Sequence, residues 1–218
     1  MKFLIVITAR SGSKRLKNKN LLPFKKKPLI YWTIQHAKKI SLQKKIVIST
    51  DSKSILKLAN KYGVSTKWLR PKKYALDKSS SESVVKHAYL TEKKNGFDAQ
   101  AIIILQPTSP YRTTKSIKKA INIYKKNPSI PLISVSELRH PNKILKLNKN
   151  KVSLLTNKKK IFMPNGSIFI INSKQALTTN NYLNKKMNFV IFKGVRENLD
   201  IDTKQDLLLS RALYKVNI

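Results

Sequence analysis

A chain of 218 residues is long enough for one α/β domain with a full core and too short for two. Apolar residues make up 41%, no apolar run reaches bilayer length and there is no cysteine, so we expect a soluble, cytoplasmic protein without disulfides or thiolate sites. The net charge of +36 favours the binding of polyanions in general, but the lysines are spread along the chain without interleaved aromatics. We therefore expect no specific nucleic acid and no membrane as partners.

The first predicted element is a strand over 3–7, whose unbroken apolar run is typical of a parallel sheet covered on both faces. Ser79 and Glu82 have the spacing of a capping box at the start of a helix. The further elements predicted up to residue 105 are helices over 28–40, 52–62 and 79–94 and strands over 45–50, 64–69 and 101–105. This alternation predicts a doubly wound sheet with helices on both faces.

The pattern changes in the second half of the chain. A helix capped by Thr114 and a strand over 130–135 continue the alternation. Two short alternating runs at 145–147 and 152–155 then predict a hairpin that protrudes from the sheet. The last predicted elements are strands over 167–172 and 189–192 and a helix that a Thr203–Asp206 capping box opens. We expect a single domain over 1–218, with a small β-arm over 136–164 inserted in it.

The loop over 8–20 follows the first strand and reads Thr-Ala-Arg-Ser-Gly-Ser-Lys-Arg-Leu-Lys-Asn-Lys-Asn. Backbone amides and five cations can converge there at the carboxyl end of a strand, where open α/β sheets bind ligands. Amides and cations are what a polyphosphate requires. The loop matches neither the Walker A nor the dinucleotide pattern, and a solvated basic loop is the alternative.

Acidic residues are scarce, yet three of the ten fall within 200–206. Asp200 and Asp202 are separated by one residue, so an extended backbone places both carboxylates on one face, close enough to share a divalent cation. The alternative is that Asp202 assists the helix cap and Asp200 is a surface acid. An Asp-x-Asp pair also occurs in metal-dependent glycosyltransferases, which form a second function class for this chain.

A polar turn follows the strand over 101–105 and reads Leu105-Gln-Pro-Thr-Ser-Pro-Tyr-Arg112. Its two prolines exclude regular structure and fix a tight turn. Gln106 stands at the end of a central strand, where its amide offers a donor and an acceptor to a ligand. A purely structural turn explains the prolines but not the number of polar groups.

These segments together resemble the acylneuraminate cytidylyltransferases, which activate sialic and related nonulosonic acids as CMP-sugars. The resemblance covers nearly the whole chain and includes the loop after the first strand, the Gln-Pro-Thr-Ser-Pro turn and the late Asp-x-Asp. It implies a Rossmann-like nucleotidyltransferase sheet with helices on both faces and a small protruding β-arm. It also implies a reaction in which CTP and a nonulosonic acid give a CMP-sugar and pyrophosphate. It also implies Mg²⁺ and a homodimer in which the 136–164 arm covers the partner's site.

The resemblance also assigns roles to individual residues. The residues expected to bind the nucleotide are Ala9, Arg10, Ser13, Lys14, Lys19, Asn20, Arg70, Asp77 and Ser81. Gln106, Thr108 and Asn165 are expected to bind the sugar, and Asp200 and Asp202 the Mg²⁺. The predicted catalytic residues are Arg10, Lys19 and Asp202.

The resemblance includes one further match and one departure, and a third function class stands beside it. Arg139-His140-Pro141 with Lys143 resembles the start of the family's dimerisation arm. Met163 stands where the family often has arginine, which leaves the acceptor open among sialic, legionaminic and KDO-like acids. A basic nucleic-acid-binding protein is a third function class, and it would bind with an affinity that falls steeply with salt.

Overall fold

The structure is a computed structural model that describes residues 1–138, 140, 143–148, 151–154, 160–183 and 186–216. Its strands are β1 (Phe3–Thr8), β2 (Pro23–Phe24), β3 (Lys27–Pro28), β4 (Lys44–Ser49), β5 (Ala101–Leu105), β6 (Leu132–Glu137), β7 (Leu145–Asn148), β8 (Lys151–Leu154), β9 (Phe162–Asn172) and β10 (Asn188–Phe192). Six of them form one sheet in the order β10-β6-β9-β5-β1-β4, in which β9 alone runs antiparallel to its neighbours. Two-stranded antiparallel pairs are formed by β2 with β3 and by β7 with β8.

Helices cover both faces of the sheet, as the sequence predicts. They are α1 (Leu29–Lys38), α2 (Lys53–Lys61), α3 (Ser81–Lys94), α4 (Thr114–Lys126), α5 (Ser173–Thr178) and α6 (Lys204–Lys215). Alternate residues of β1 enter different cores: Ile5 packs with α1, α2 and α4, whereas Val6 packs with α3 and α5. Because both sets are fully buried, β1 forms the centre of a two-sided core. The predicted fold class is confirmed.

The predicted strand over 64–69 is wrong. The segment lies along the edge strand β4 without a ladder of backbone hydrogen bonds. The amide of Ile48 donates instead to the Thr66 hydroxyl (2.9 Å), and the amide of Arg70 donates to the Thr50 carbonyl (2.7 Å). A side-chain hydroxyl thus replaces the carbonyl that a paired strand would offer, and the segment still covers the sheet edge.

Two predicted helix caps are displaced by one residue. Ser80, not Ser79, caps α3, because its hydroxyl accepts from the amide of Ser83 (3.1 Å). Glu82 does not complete a box, since its carboxylate accepts from the amide of Tyr182 (3.0 Å). In the same way Thr113, rather than Thr114, caps α4. Neighbouring hydroxyls offer nearly equal local caps, so tertiary contacts decide between them.

The predicted hairpin of the arm is present as β7 and β8, which pair apart from the main sheet. Arg139 and Pro141, quoted for the start of the arm, lie outside the described residues. His140 is described, and its carbonyl accepts from the amide of Lys143 (3.0 Å). The single-domain division and the dimerisation role of 136–164 stay predictions. Among the described residues, no helix has the length and apolarity needed to cross a bilayer.

His36 on α1 should make the fold sensitive to acid. Burial, followed by the nearby charges of Arg112 and Lys39, lowers its pKa to about 4. The unfolded chain takes up a proton near the ordinary histidine pKa of about 6.5, so stability is present above that value and is lost as the pH falls towards about 4. We expect urea unfolding to show a loss of about 1–2 kcal/mol between pH 7 and pH 4.5 that His36→Gln reduces. An equal loss in the variant would contradict this account.

Candidate active site

A cleft of about 540 Å³ opens at the carboxyl ends of β1 and β5. Four segments form its walls: the loop after β1, the segment 70–81, the turn after β5 and the extended segment 200–202. The sequence-predicted site residues that line it are Arg10, Ser13, Lys14, Lys19, Asn20, Arg70, Asp77, Ser81, Gln106, Thr108, Asp200 and Asp202. Side chains from distant parts of the sequence therefore converge where an open α/β sheet binds its ligands.

Two anchors hold the cationic loop. The Asn20 amide donates to the Arg10 carbonyl (3.0 Å), which closes the loop on itself. Asp51, at the end of β4, accepts from both the backbone amide (2.8 Å) and the hydroxyl (2.6 Å) of Ser11. The carboxylate of Asp51 thus supports the loop from behind. Between these anchors, Lys14, Arg15 and Lys19 line the cleft.

Two carboxylates on opposite walls pair with the cations of this loop. Asp77 lies 2.9 Å from the Arg10 guanidinium and 2.6 Å from Lys14 Nζ. Asp202 lies 2.6 Å from Lys19 Nζ and 3.2 Å from the guanidinium of Arg15. The cleft therefore contains separate positive and negative groups, which is the arrangement that a metal-bound polyphosphate requires.

The late aspartates reach the cleft because of the residue between them. Ile201 is fully buried, and its amide donates to the Thr108 carbonyl (2.8 Å), so Asp200 and Asp202 both face the cleft. Thr203 then caps α6 in a capping box with Asp206, as the sequence predicts. A buried anchor flanked by two acids thus produces the predicted common face.

The residues present fit a divalent cation shared with a ligand. Asp200 Oδ1 is buried and has no hydrogen-bond partner among the described residues, which leaves an acceptor free for a metal. No group of three or more His, Cys, Asp or Glu that could hold a metal occurs in the part of the chain that the structure describes. Mg²⁺ commonly takes one or two carboxylates and completes its octahedron with water and substrate phosphates. Asp200 with Asp202 matches that pattern.

Asp200 also lowers stability when it is ionised. Burial raises its pKa and the nearby Asp202 carboxylate adds to the rise, whereas the neighbouring Thr108 side chain and the Lys19 cation oppose it. The stability contributed by protonated Asp200 is present below the ordinary aspartate pKa and is lost as the pH rises through the raised value. Without Mg²⁺ at pH 7.5, Asp200→Asn should therefore raise Tm by about 2–4 °C, the shift that 1 kcal/mol produces in a chain of this size. The matched variant Asp98→Asn should give no rise in Tm, because the Asp98 carboxylate accepts from the Tyr89 hydroxyl and pairs with Lys93. An equal rise in both variants would exclude the explanation.

The turn after β5 is held by a residue whose role the sequence analysis did not identify. The Arg112 guanidinium is fully buried and donates to the carbonyls of Gln106 (3.1 Å) and Ser167 (2.8 Å) and to the Thr33 hydroxyl (2.7 Å). Burial lowers its pKa to about 9. The Gln106 side chain meets Gly166, where a Cβ would come within 3.1 Å of its amide oxygen. Arg112 therefore positions Gln106, and Gly166 leaves room for it.

Arg70 forms the wall on the β4 side of the cleft. Its guanidinium contacts Ser49 through the hydroxyl (3.0 Å) and the carbonyl, and only 5% of the residue is exposed. Burial lowers its pKa to about 10, and the nearby Asp51 opposes that shift. Ser49 and Asp51 thus support site residues from outside the cleft.

Two sequence-predicted residues do not line the cleft. Ala9 is fully buried, and its amide donates to the Ser49 carbonyl (2.9 Å). The Asn165 side chain contacts protein groups: it accepts from the Ser134 hydroxyl (2.5 Å) and donates to Asn198 (3.0 Å). The cleft is also lined by residues to which the sequence assigns no role, including Arg15, Leu16, Tyr74 and Leu76.

Comparison with known sequences identifies the family of this chain. A family model described as cytidylyltransferase matches residues 4–218. A CMP-N,N'-diacetyllegionaminic acid synthase of Legionella pneumophila is 32% identical and aligns over 100% of this chain and 98% of its own. An N-acylneuraminate cytidylyltransferase of Escherichia coli is 32% identical over 98% of this chain and 52% of its own. A pseudaminic acid cytidylyltransferase of Campylobacter jejuni is 30% identical over 100% of this chain and 98% of its own.

Solved structures share the fold at lower identity. A CMP:2-keto-3-deoxy-manno-octonic acid synthetase complexed with CTP has a TM-score of 0.74 at 18% identity, over 99% of both chains. A 4-diphosphocytidyl-2C-methyl-D-erythritol synthase of Anaerococcus prevotii has a TM-score of 0.73 at 12% identity, over 98% of this chain and 96% of its own. The chain therefore belongs to the cytidylyltransferase family of CTP-dependent enzymes, and its relatives at about 30% identity act on nonulosonic acids.

Proposed function

We propose that this protein transfers CMP from CTP to the anomeric hydroxyl of a nonulosonic acid and releases pyrophosphate. The observation that carries the proposal is the meeting of the loop cations with the late aspartates in one cleft, where Lys19 Nζ lies 2.6 Å from Asp202. The hydroxyl oxygen forms a bond to the α-phosphorus, and the bond from that phosphorus to the oxygen bridging it to the β-phosphate breaks. The hydroxyl proton passes to a carboxylate of the Asp200–Asp202 pair.

The cations of the loop are suited to the triphosphate. We assign Arg10, Ser13, Lys14 and Lys19 to it. Lys19 has the position closest to the reacting phosphate, because it already contacts Asp202 on the opposite wall and only 13% of its side chain is exposed. A fixed cation in a partly dry site stabilises the charge that develops on phosphoryl oxygens in the transition state.

Asp200 and Asp202 would hold Mg²⁺ against the phosphates. When bound, the ion supplies charge neutralisation and polarisation of the α-phosphate. The two carboxylates would hold the ion in the cleft that the loop after β1 also lines. Asp202 now contacts Lys19 and Arg15. If it bound the ion instead, both cations would be free to contact phosphate oxygens.

The remaining sequence-predicted site residues divide between nucleoside and acceptor. We assign Asn20, Arg70 and Ser81 to ribose and cytosine; Ser81 begins α3, whose first amides have no intrahelical partner. Ala9 and Asp77 stay assigned to the nucleotide, Ala9 as a buried support of the loop and Asp77 through its contacts with Arg10 and Lys14. Gln106, Thr108 and Asn165 are assigned to the acceptor. Of these, Gln106 and Thr108 line the cleft as it stands.

The test is a panel assay of pyrophosphate release with CTP, Mg²⁺ and each candidate acid: neuraminic, legionaminic, pseudaminic and KDO-type. We expect release with at least one acid, together with formation of the CMP-sugar, and much slower release when UTP replaces CTP. Transfer from a nucleotide sugar without dependence on CTP would instead support the glycosyltransferase. Salt-sensitive binding of nucleic acid that CTP does not displace would support the third function class.

We also propose a cytoplasmic homodimer in which the 136–164 arm reaches the partner's cleft. The β7–β8 hairpin pairs apart from the main sheet, and large apolar side chains are exposed nearby on β9 and β10, namely Met163 (49%) and Phe189 (51%). Light scattering should give about twice the chain mass of 25.0 kDa. A monomer that turns over CTP at full rate would exclude the shared site.

A further inference from the structure

Asp77 forms ion pairs with Arg10 and Lys14, two cations that the proposed function assigns to the triphosphate. One carboxylate oxygen lies 2.9 Å from the Arg10 guanidinium, and the other lies 2.6 Å from Lys14 Nζ. The cations belong to the loop after β1, whereas Asp77 belongs to the opposite wall. Both ion pairs therefore cross the cleft at a place where phosphate oxygens are expected.

A phosphate chain and this carboxylate compete for the same donors. Both are anionic acceptors that favour charge-assisted hydrogen bonds with Arg10 and Lys14. Two anions held beside the same cations also repel each other. The phosphate chain carries more charge, so it prevails when it binds, and the carboxylate must move away.

The ion pairs of Asp77 are exposed enough to exchange. The exposed fraction is 42% for the Asp77 side chain, 34% for Arg10 and 80% for Lys14. Ion pairs in such solvated positions contribute little to stability and re-form readily. Asp77 can thus release and recapture its partners without disturbing the core.

We propose that Asp77 is a resident competitor for the phosphate chain, which leaves Arg10 and Lys14 when CTP binds and returns to them as pyrophosphate departs. This inference rests on the proposed function in assigning both cations to the triphosphate. Its consequence is weaker binding of every ligand whose phosphates reach the pair, and hence faster loss of pyrophosphate. The affinity for ligands without phosphate does not depend on the charge of Asp77.

The test compares Asp77→Asn with the parent protein by titration calorimetry, using pyrophosphate and cytidine as separate probes. We expect the Kd for pyrophosphate to fall about three- to tenfold in the variant, since one nearby negative charge is removed from a solvated site. The Kd for cytidine should change less than about twofold. Asp77→Ser provides a second variant that removes the charge, and the Tm of each variant reports whether its fold is intact.

Asp98→Asn is the matched control. It changes the net charge by the same amount and breaks an exposed ion pair, Lys93–Asp98 (3.1 Å), at the amino end of β5, away from the cleft. Its asparagine oxygen can still accept from the Tyr89 hydroxyl, as the Asp98 carboxylate does (2.7 Å). We expect its effect on pyrophosphate to be less than about twofold. Unchanged or weaker pyrophosphate binding in Asp77→Asn, or equal tightening in Asp98→Asn, would overturn the inference. Failure of the parent to turn over CTP would remove the proposed function, and a separate turnover assay tells the two failures apart.

Discussion

Asp202→Asn should lower the rate of pyrophosphate release by a factor of about 10³ while leaving the fold intact. The substitution removes a charge that faces Lys19 and, in the proposed reaction, one carboxylate of the metal pair. An asparagine of the same size keeps the packing around the fully buried Ile201. The measurement is single-turnover pyrophosphate release at saturating CTP, Mg²⁺ and acceptor.

Asp98→Asn, which lies outside the cleft, should keep the parental rate in the same assay. The Tm of Asp202→Asn should remain within a few degrees of the parent, because its ion pairs are partly exposed. Release at a near-normal rate by a folded Asp202→Asn would rule out its place in the reaction.

Arg112→Leu should destabilise the protein by about 3 kcal/mol, on the order of 1 kcal/mol for each of the three buried acceptors that lose their donor. The guanidinium is fully buried, and its loss leaves the Gln106 and Ser167 carbonyls and the Thr33 hydroxyl without this donor. A buried acceptor without a donor costs far more than an exposed one. The measurement is the free energy of unfolding in urea, together with Kd for CTP in the folded fraction.

Arg211→Leu is the arginine control for this experiment. Its guanidinium donates to the Pro23 carbonyl (2.7 Å) from an exposed position, so we expect a loss below about 1 kcal/mol. If Arg112→Leu cost no more than Arg211→Leu, the buried guanidinium would not be what holds the turn after β5.

The sequence predicts those features whose cause is local. The apolar run at 3–7, the Thr203–Asp206 capping box and the alternation around Ile201 each depend on residues a few positions apart, and the structure confirms these elements. The segment 64–69 was predicted as a strand from the same kind of pattern. It fails because pairing at a sheet edge depends on what β4 offers, and there the Thr66 hydroxyl replaces a backbone partner.

The sequence does not predict which side chains far apart along the chain contact each other. Asp51 meets Ser11 across 40 positions, and Arg112 meets Thr33 across 79, with no motif that links either pair. The family resemblance brought Asp77 into the site, but it could not show that the carboxylate holds Arg10 and Lys14. Such contacts form only when the sheet and its loops are assembled, so only the three-dimensional structure reveals them.

The most direct measurement is a crystal structure of the protein with CTP and Mn²⁺, in which anomalous scattering locates the metal. The account predicts one metal peak between Asp200 and Asp202, the triphosphate against Arg10, Lys14 and Lys19, and Asp77 withdrawn from the loop. A nucleotide bound with its phosphates away from the loop after β1, or a metal held elsewhere, would contradict it.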